Sequence, residues 1–199
     1  MPEPSYYDTE APAYDESRGG SARARAAADA VLELAPGEGL CVDVAGGTGI
    51  VSAELVARGL DVVVADRSTG MLRIALPRLP GRVVAAHAGR LPFADGSVDL
   101  VTVIWLLHHL TPAAADQVIA EAARILRPGG CIVTTVDKAL AHRSTRRHDS
   151  DGRERVTSVL LGLGLRPSGV TSFRGDTRWS TAEGNEHQVF AVAAFRKGR

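Results

Sequence analysis

The chain has 199 residues, room for one sizeable α/β domain and little more. Lysine plus arginine equals aspartate plus glutamate at 23 each, so no net field draws it to nucleic acid or an anionic membrane. Hydrophobic residues make up 45%, yet no uninterrupted apolar run approaches the ~20 residues that span a bilayer, and the acidic, tyrosine-rich start is unlike a secretory signal. The expectation is a cytoplasmic, single-domain protein. Cys41 and Cys131 each begin an apolar run and suit small core residues better than a disulfide or a metal site.

In chain order, residues 2–20 show no helical or strand period, but Tyr6, Tyr7 and Tyr14 crowd together with Asp8, Asp15 and Arg18. Disordered segments are poor in aromatics, which argues against a frayed tail. Ser21 is the expected cap of a helix carrying Ala24, Ala28, Val31, Leu32 and Ala35 at the 3.6 spacing, closed by Pro36-Gly37. Leu40 to Val44 reads as a buried strand with Asp43 near its end. It breaks into Ala45-Gly46-Gly47-Thr48-Gly49, and a helical pattern runs from Ile50 to Arg58, ended by Gly59. Strand, glycine turn and helix are the front half of a nucleotide-binding βαβ unit. Glycines allow positive φ and close approach of a ligand to the backbone, and the helix start offers free N–H groups. The dinucleotide pattern Gly-x-Gly-x-x-Gly is incomplete, because its third place falls on Ser52.

Leu60 to Ala65 is the second strand, closing on Asp66, where an acid can accept hydrogen bonds from both hydroxyls of a ribose. Ser68 caps the next helix, from which Met71 and Leu72 face inward and could flank an adenine. Val83 to Ala86 is the third strand. The run His87-Ala88-Gly89-Arg90-Leu91-Pro92-Phe93-Ala94-Asp95-Gly96-Ser97-Val98-Asp99 leads to a fourth, Asp99 to Trp105. His108 and His109 follow its carboxyl end, where ligands sit in open α/β sheets, and either is a candidate general base. One of the two is expected to cap or pack the next helix instead. Thr111 and Pro112 start that helix, with Val118, Ile119, Ala122, Ile125 and Leu126 on one face. Leu126-Arg127-Pro128-Gly129-Gly130 turns it into strand Cys131 to Val136. Residues 139–155 hold five arginines, two histidines and three acids, a solvated face or a receptor for an anion. Val156, Val159, Leu160 and Leu163 form a last amphipathic helix ended by Gly164. Leu165 to Phe173 and Gln188 to Phe195 are then an antiparallel hairpin, since the polar Arg174–His187 loop is too short for a crossover helix.

Several of these runs together carry a resemblance: Asp43-x-Ala45-Gly46-Gly47-Thr48-Gly49, the Leu91-Pro92-Phe93 segment, Leu126-Arg127-Pro128-Gly129-Gly130, and Tyr7-Asp8 to Tyr14-Asp15 with Arg18. The chain resembles the class I S-adenosylmethionine-dependent methyltransferases, in particular the small UbiE-like (methyltransferase type 11) group. The resemblance implies a Rossmann-like, doubly wound α/β sheet of seven strands with an antiparallel C-terminal hairpin strand. It implies residues 1–20 as a lid over the pocket and 21–199 as the S-adenosyl-L-methionine-binding domain. Its cofactor residues fall on Tyr14, Arg18, Asp43, Ala45, Gly46, Gly47, Thr48, Gly49, Asp66, Arg67, Met71, His87, Ala88, Gly89 and Trp105.

Two positions depart from the family: Ala45 stands at a usual glycine, and His87 at the acid that takes the adenine amino group. A neutral imidazole has an acceptor nitrogen for that task, or backbone amides do it instead. The expected partner is a small-molecule methyl acceptor, with no nucleic acid, membrane or metal, and a monomer or homodimer as the working unit. Trp105, Tyr7 and Tyr14 would close on the methyl, with residues 138–150 and the Trp179 loop shaping the acceptor site. The rival readings are an adenosyl-binding protein or cyclase that transfers no methyl, and a nicotinamide-dependent reductase.

Overall fold

A computed structural model describes residues 6–37, 39–138, 150–175 and 188–198. Seven strands form one sheet in the order β3-β2-β1-β4-β5-β7-β6. They are β1 (Leu40–Val44), β2 (Asp61–Asp66), β3 (Val83–Ala85), β4 (Val98–Val103), β5 (Leu126–Val136), β6 (Leu165–Gly175) and β7 (Gln188–Lys197). The first five are parallel, and β7 runs antiparallel between β5 and the edge strand β6. The chain order reverses between β1 and β4, which opens a crevice outside their carboxyl ends.

Buried strands that carry apolar residues on alternate faces need helices on both sides. Here α2 (Gly20–Leu34) and α3 (Ile50–Val56) cover one face, meeting Cys41, Val62, Leu100 and Val133. Along the same layer α4 (Thr69–Arg78) packs Leu72 against Val64. On the other face α5 (Pro112–Ile125) and α6 (Arg153–Gly162) meet Val42, Val44, Val101, Ile132 and Phe195. Each large side chain buried this way contributes about 1.5–3 kcal/mol.

The element ends show where local chemistry governs. Ser68 Oγ accepts the Met71 N–H at the start of α4, and Thr111 Oγ1 accepts the Ala114 N–H at the start of α5, as expected of caps. Ser21 does not cap α2. That helix begins earlier, after Gly19 in the left-handed region, and Ser21 is exposed within its first turn. The Leu126–Gly130 turn is enclosed within β5 rather than preceding it. Leu126 pairs with Val98, the chain loops out through Arg127–Gly130, and pairing resumes between Cys131 and Leu100. An ion pair from Arg127 to Asp99 closes this loop.

Residues 6–17, which lack a readable period, form a helix, α1 (Tyr6–Ser17). Only Ala11 and Ser17 are buried on it, and Pro12 lies inside it, so neither an apolar stripe nor propensity announces it. Tertiary contacts hold it along α4. Asp8 accepts the Gly70 N–H (2.8 Å) and the Ser68 hydroxyl (2.7 Å) at the start of α4, where the helix dipole favours an anion. Asp15 pairs with Arg78 in the last turn of α4 (2.7 Å).

Candidate active site

A cavity of about 370 Å³ lies at the crevice, bounded by the ends of β1 to β4 and covered by Tyr7 and Tyr14 of α1. Its floor is the loop after β1. Ala45 there takes φ 58°, and its N–H donates to the Ala65 carbonyl (2.7 Å). Gly47 also has positive φ, and a Cβ there would meet nothing nearer than Met71 Sδ at 3.8 Å, so the backbone is left open to a ligand. Gly46 has a different reason to be glycine, since a Cβ would come within 2.7 Å of Asp43 Oδ2.

Two carboxylates serve this loop differently. Asp43, 2% exposed, accepts the hydroxyls of Ser52 (2.5 Å) and Thr102 (2.8 Å), which lock β1 to α3 and β4. Burial pushes its pKa above the ordinary carboxylate value against the pull of those two bonds. Asp66 accepts one backbone N–H on each oxygen, from Gly47 (2.9 Å) and Ser68 (2.8 Å). Burial raises its pKa too, opposed by those backbone donors. An ionised carboxylate has about four lone-pair sites, so acceptor capacity remains for a ligand.

Beside the main cavity a smaller chamber is lined by Tyr14, Arg18, Arg23, Ile50 and Trp105. Arg23 is 5% exposed, with its guanidinium 3.8 Å from the Trp105 ring centroid and 4.6 Å from that of Phe190. One of its nitrogens donates to the Arg18 carbonyl (2.9 Å). Among the described residues no carboxylate pairs with it, and its Nε and Trp105 Nε1 are buried without hydrogen-bond partners. Burial lowers its pKa to about 10, so it stays a cation at neutral pH.

Residues 42–134, spanning the floor, Asp66 and β4 to β5, match the family described as a methyltransferase domain. That stretch, a little under half of the chain, is similar to a methyltransferase domain. The chain is 47% identical over 110 residues to a demethylmenaquinone methyltransferase of Beutenbergia cavernae, covering 55% of this chain and 44% of that protein. The chain spans about half the length of the curated relatives it matches. In fold it is similar to the PH0226 protein of Pyrococcus horikoshii OT3, with TM-score 0.73 at 21% identity over 97% of this chain and 99% of that one. It is likewise similar to the (4+2)-cyclase SpnF, with TM-score 0.73 at 19% identity over 96% and 93%.

Of the expected site residues, the sheet, its loops and α1 bring Tyr14, Asp43, Ala45, Gly46, Gly47, Thr48, Asp66, Arg67, Met71, His87, Ala88, Trp105 and His109 onto the cavity wall. Four stand off it. Gly49 faces the core, where a Cβ would meet Leu79 at 2.9 Å. Gly89 supports the His87 ring through its N–H. Arg18 lies over the Tyr14 ring (5.6 Å) and lines the side chamber. His108 is buried behind the wall, with Nε2 3.0 Å from Lys138 Nζ. It and His109 share a 3-10 turn, Leu107–His109, with their ring centroids 3.8 Å apart, and of the pair it is His109 that lines the cavity and packs edge-on to the Tyr7 ring (6.2 Å). Residues 139–149 and Trp179, expected to shape the acceptor site, lie outside the described residues.

Arg23 is the site residue missed in the sequence. Its signal was an arginine one turn before Ala27 on the buried face of α2, a place where a charge needs a reason. Trp105 also differs in backbone from a strand end. Its φ is 57°, its N–H donates to Thr135 Oγ1 (2.8 Å), and its ring packs edge-on to Phe173 and Phe190.

Proposed function

We propose that this cavity binds S-adenosyl-L-methionine and that the chain transfers its methyl group to a small molecule. One observation carries the reading: Asp66 at the end of β2, held by backbone donors on both oxygens, keeps acceptor capacity for a ribose beside a glycine loop open to a ligand. The donor set fits the rest of the molecule. Arg23, a buried cation with no acid partner among the described residues, matches the methionine carboxylate, and Met71, Ala86 and Ala88 give an apolar berth to a base. Bound there, the cofactor supplies a methyl group already activated by its sulfonium.

The chain's own part is then positioning and exclusion of water. Tyr7 and Tyr14 cover the cavity as neutral phenols, the pKa of Tyr7 being pushed up to about 12 by burial and by the neighbouring Tyr14. We assign α1 the role of a lid. To His109, on the wall with Leu106 and Leu110, we assign the part of proton acceptor. These apolar neighbours suit a hydrophobic ring, and the quinone named for the relatives is the first class to try. No described helix is long and apolar enough to cross a membrane.

Incubation with S-adenosylmethionine carrying a labelled methyl and a demethylated naphthoquinol should give a labelled product. Adenosylhomocysteine binding without transfer to any of a panel of phenols, quinols and amines would favour a binding protein or a cyclase. The absence of both binding and transfer would overturn the proposal.

A further inference from the structure

His87 stands at the end of β3, on the cavity wall next to Met71, Ala86 and Ala88, none of which has a side-chain N–H or O–H. If Asp66 takes the ribose, as proposed above, and Arg23 the carboxylate on the other side of the glycine loop, the base falls at this β3 end. The local turn is tightly specified. Arg90 N–H donates to the His87 carbonyl (2.8 Å), and the two residues form an antiparallel bridge. Within that turn the Gly89 N–H donates to His87 Nδ1 (3.1 Å).

That bond decides the tautomer. A neutral imidazole has one protonated nitrogen and one acceptor. With Nδ1 occupied as the acceptor, the proton sits on Nε2, and the ring offers the cavity a donor. A carboxylate at this position would offer an acceptor to the 6-amino group of adenine; His87 cannot do so while Gly89 holds Nδ1.

We propose that His87 reads the base as a hydrogen-bond donor through Nε2–H, so that this site addresses an acceptor on the purine and has lost the discrimination that favours a 6-amino over a 6-oxo group. The inference rests on the cofactor reading above. Gly89 is part of the device. Its N–H orients the ring, and a Cβ there would only come into ordinary contact with it, 3.4 Å from His87 Nδ1.

Competition calorimetry at pH 8 with S-adenosylhomocysteine and its 6-oxo counterpart, S-inosylhomocysteine, tests it. The two should bind the native protein within about tenfold of each other, less than one charge-assisted hydrogen bond separates. His87→Asp should move the ratio about tenfold or more toward the adenosyl compound, because its carboxylate accepts from an amino group and repels a carbonyl oxygen. Nitrogen-15 spectra of the histidine rings should show His87 protonated at Nε2 and not at Nδ1. A native protein that rejects the inosyl compound a hundredfold, a ratio unmoved by His87→Asp, or a proton on Nδ1 would each overturn the inference while leaving adenosylhomocysteine binding intact. If neither nucleoside binds, the cofactor reading fails with it.

Discussion

Asp43 borders the cavity but is almost entirely buried, and both its oxygens are taken by hydroxyls of the sheet and of α3, so it works as a structural tie beneath the loop. The tie has a signature in pH. Its folded pKa lies above the ordinary 3.8, so over the interval between them the native state holds a proton that the unfolded chain has lost. Stability contributed by this group therefore falls as pH rises from about 3.8 through the raised value, and stays at its low level above it. Asp43→Asn removes that slope. Urea melts across this range should show the variant gaining on the native protein as pH rises; a constant difference would contradict the shift. Ala45 makes a second test. An L-residue at φ 58° carries about 1–2 kcal/mol of strain, partly offset by the greater unfolded freedom of glycine. Ala45→Gly should therefore stabilise the fold by up to about 1 kcal/mol, read as a higher Tm. A lower Tm would mean that the methyl group packs usefully.

Between elements, α1 is fastened to the domain at both ends of α4, and Asp15 also accepts the Thr48 hydroxyl of the glycine loop (2.5 Å). The covering helix and the binding loop thus share a carboxylate. At the other fastening, a Cβ on Gly70 would lie 2.7 Å from the backbone of Asp8, which cannot move aside without lifting α1. Gly70→Ala should speed release of adenosylhomocysteine by about tenfold, measured by stopped flow, since such changes act mainly on dissociation. An unchanged release rate would deny α1 the role of a lid. The turn after β4 yields a paired prediction. His109→Gln should cut turnover about 10²–10⁴-fold with cofactor affinity little changed, the size expected for loss of a general base. His108→Gln, losing its contact with Lys138 behind the wall, should lower stability instead. Full turnover in the His109 variant would point to methyl transfer by proximity alone.

Over the whole molecule, legibility followed the range of the interactions. The glycine loop, the Ser68 and Thr111 caps, Asp66 and the antiparallel β6–β7 pair are written in contiguous residues, and the structure places them as read. What was not legible depends on partners far along the chain. Arg23 is explained only by Trp105 and Phe190, and α1 only by Ser68, Gly70 and Arg78. The choice of His109 over His108 was hidden because a 3-10 turn leaves no period to read. The wall, floor and cover nevertheless converge on one cavity, and its cofactor is the central claim. The most direct measurement is calorimetric titration of the intact chain with S-adenosylhomocysteine and, separately, NADH. A cavity built for S-adenosyl-L-methionine should give saturable binding of adenosylhomocysteine, weakened by about 2–3 kcal/mol in Asp66→Ala, and no heat from NADH. Saturable NADH binding with no response to adenosylhomocysteine would contradict that claim.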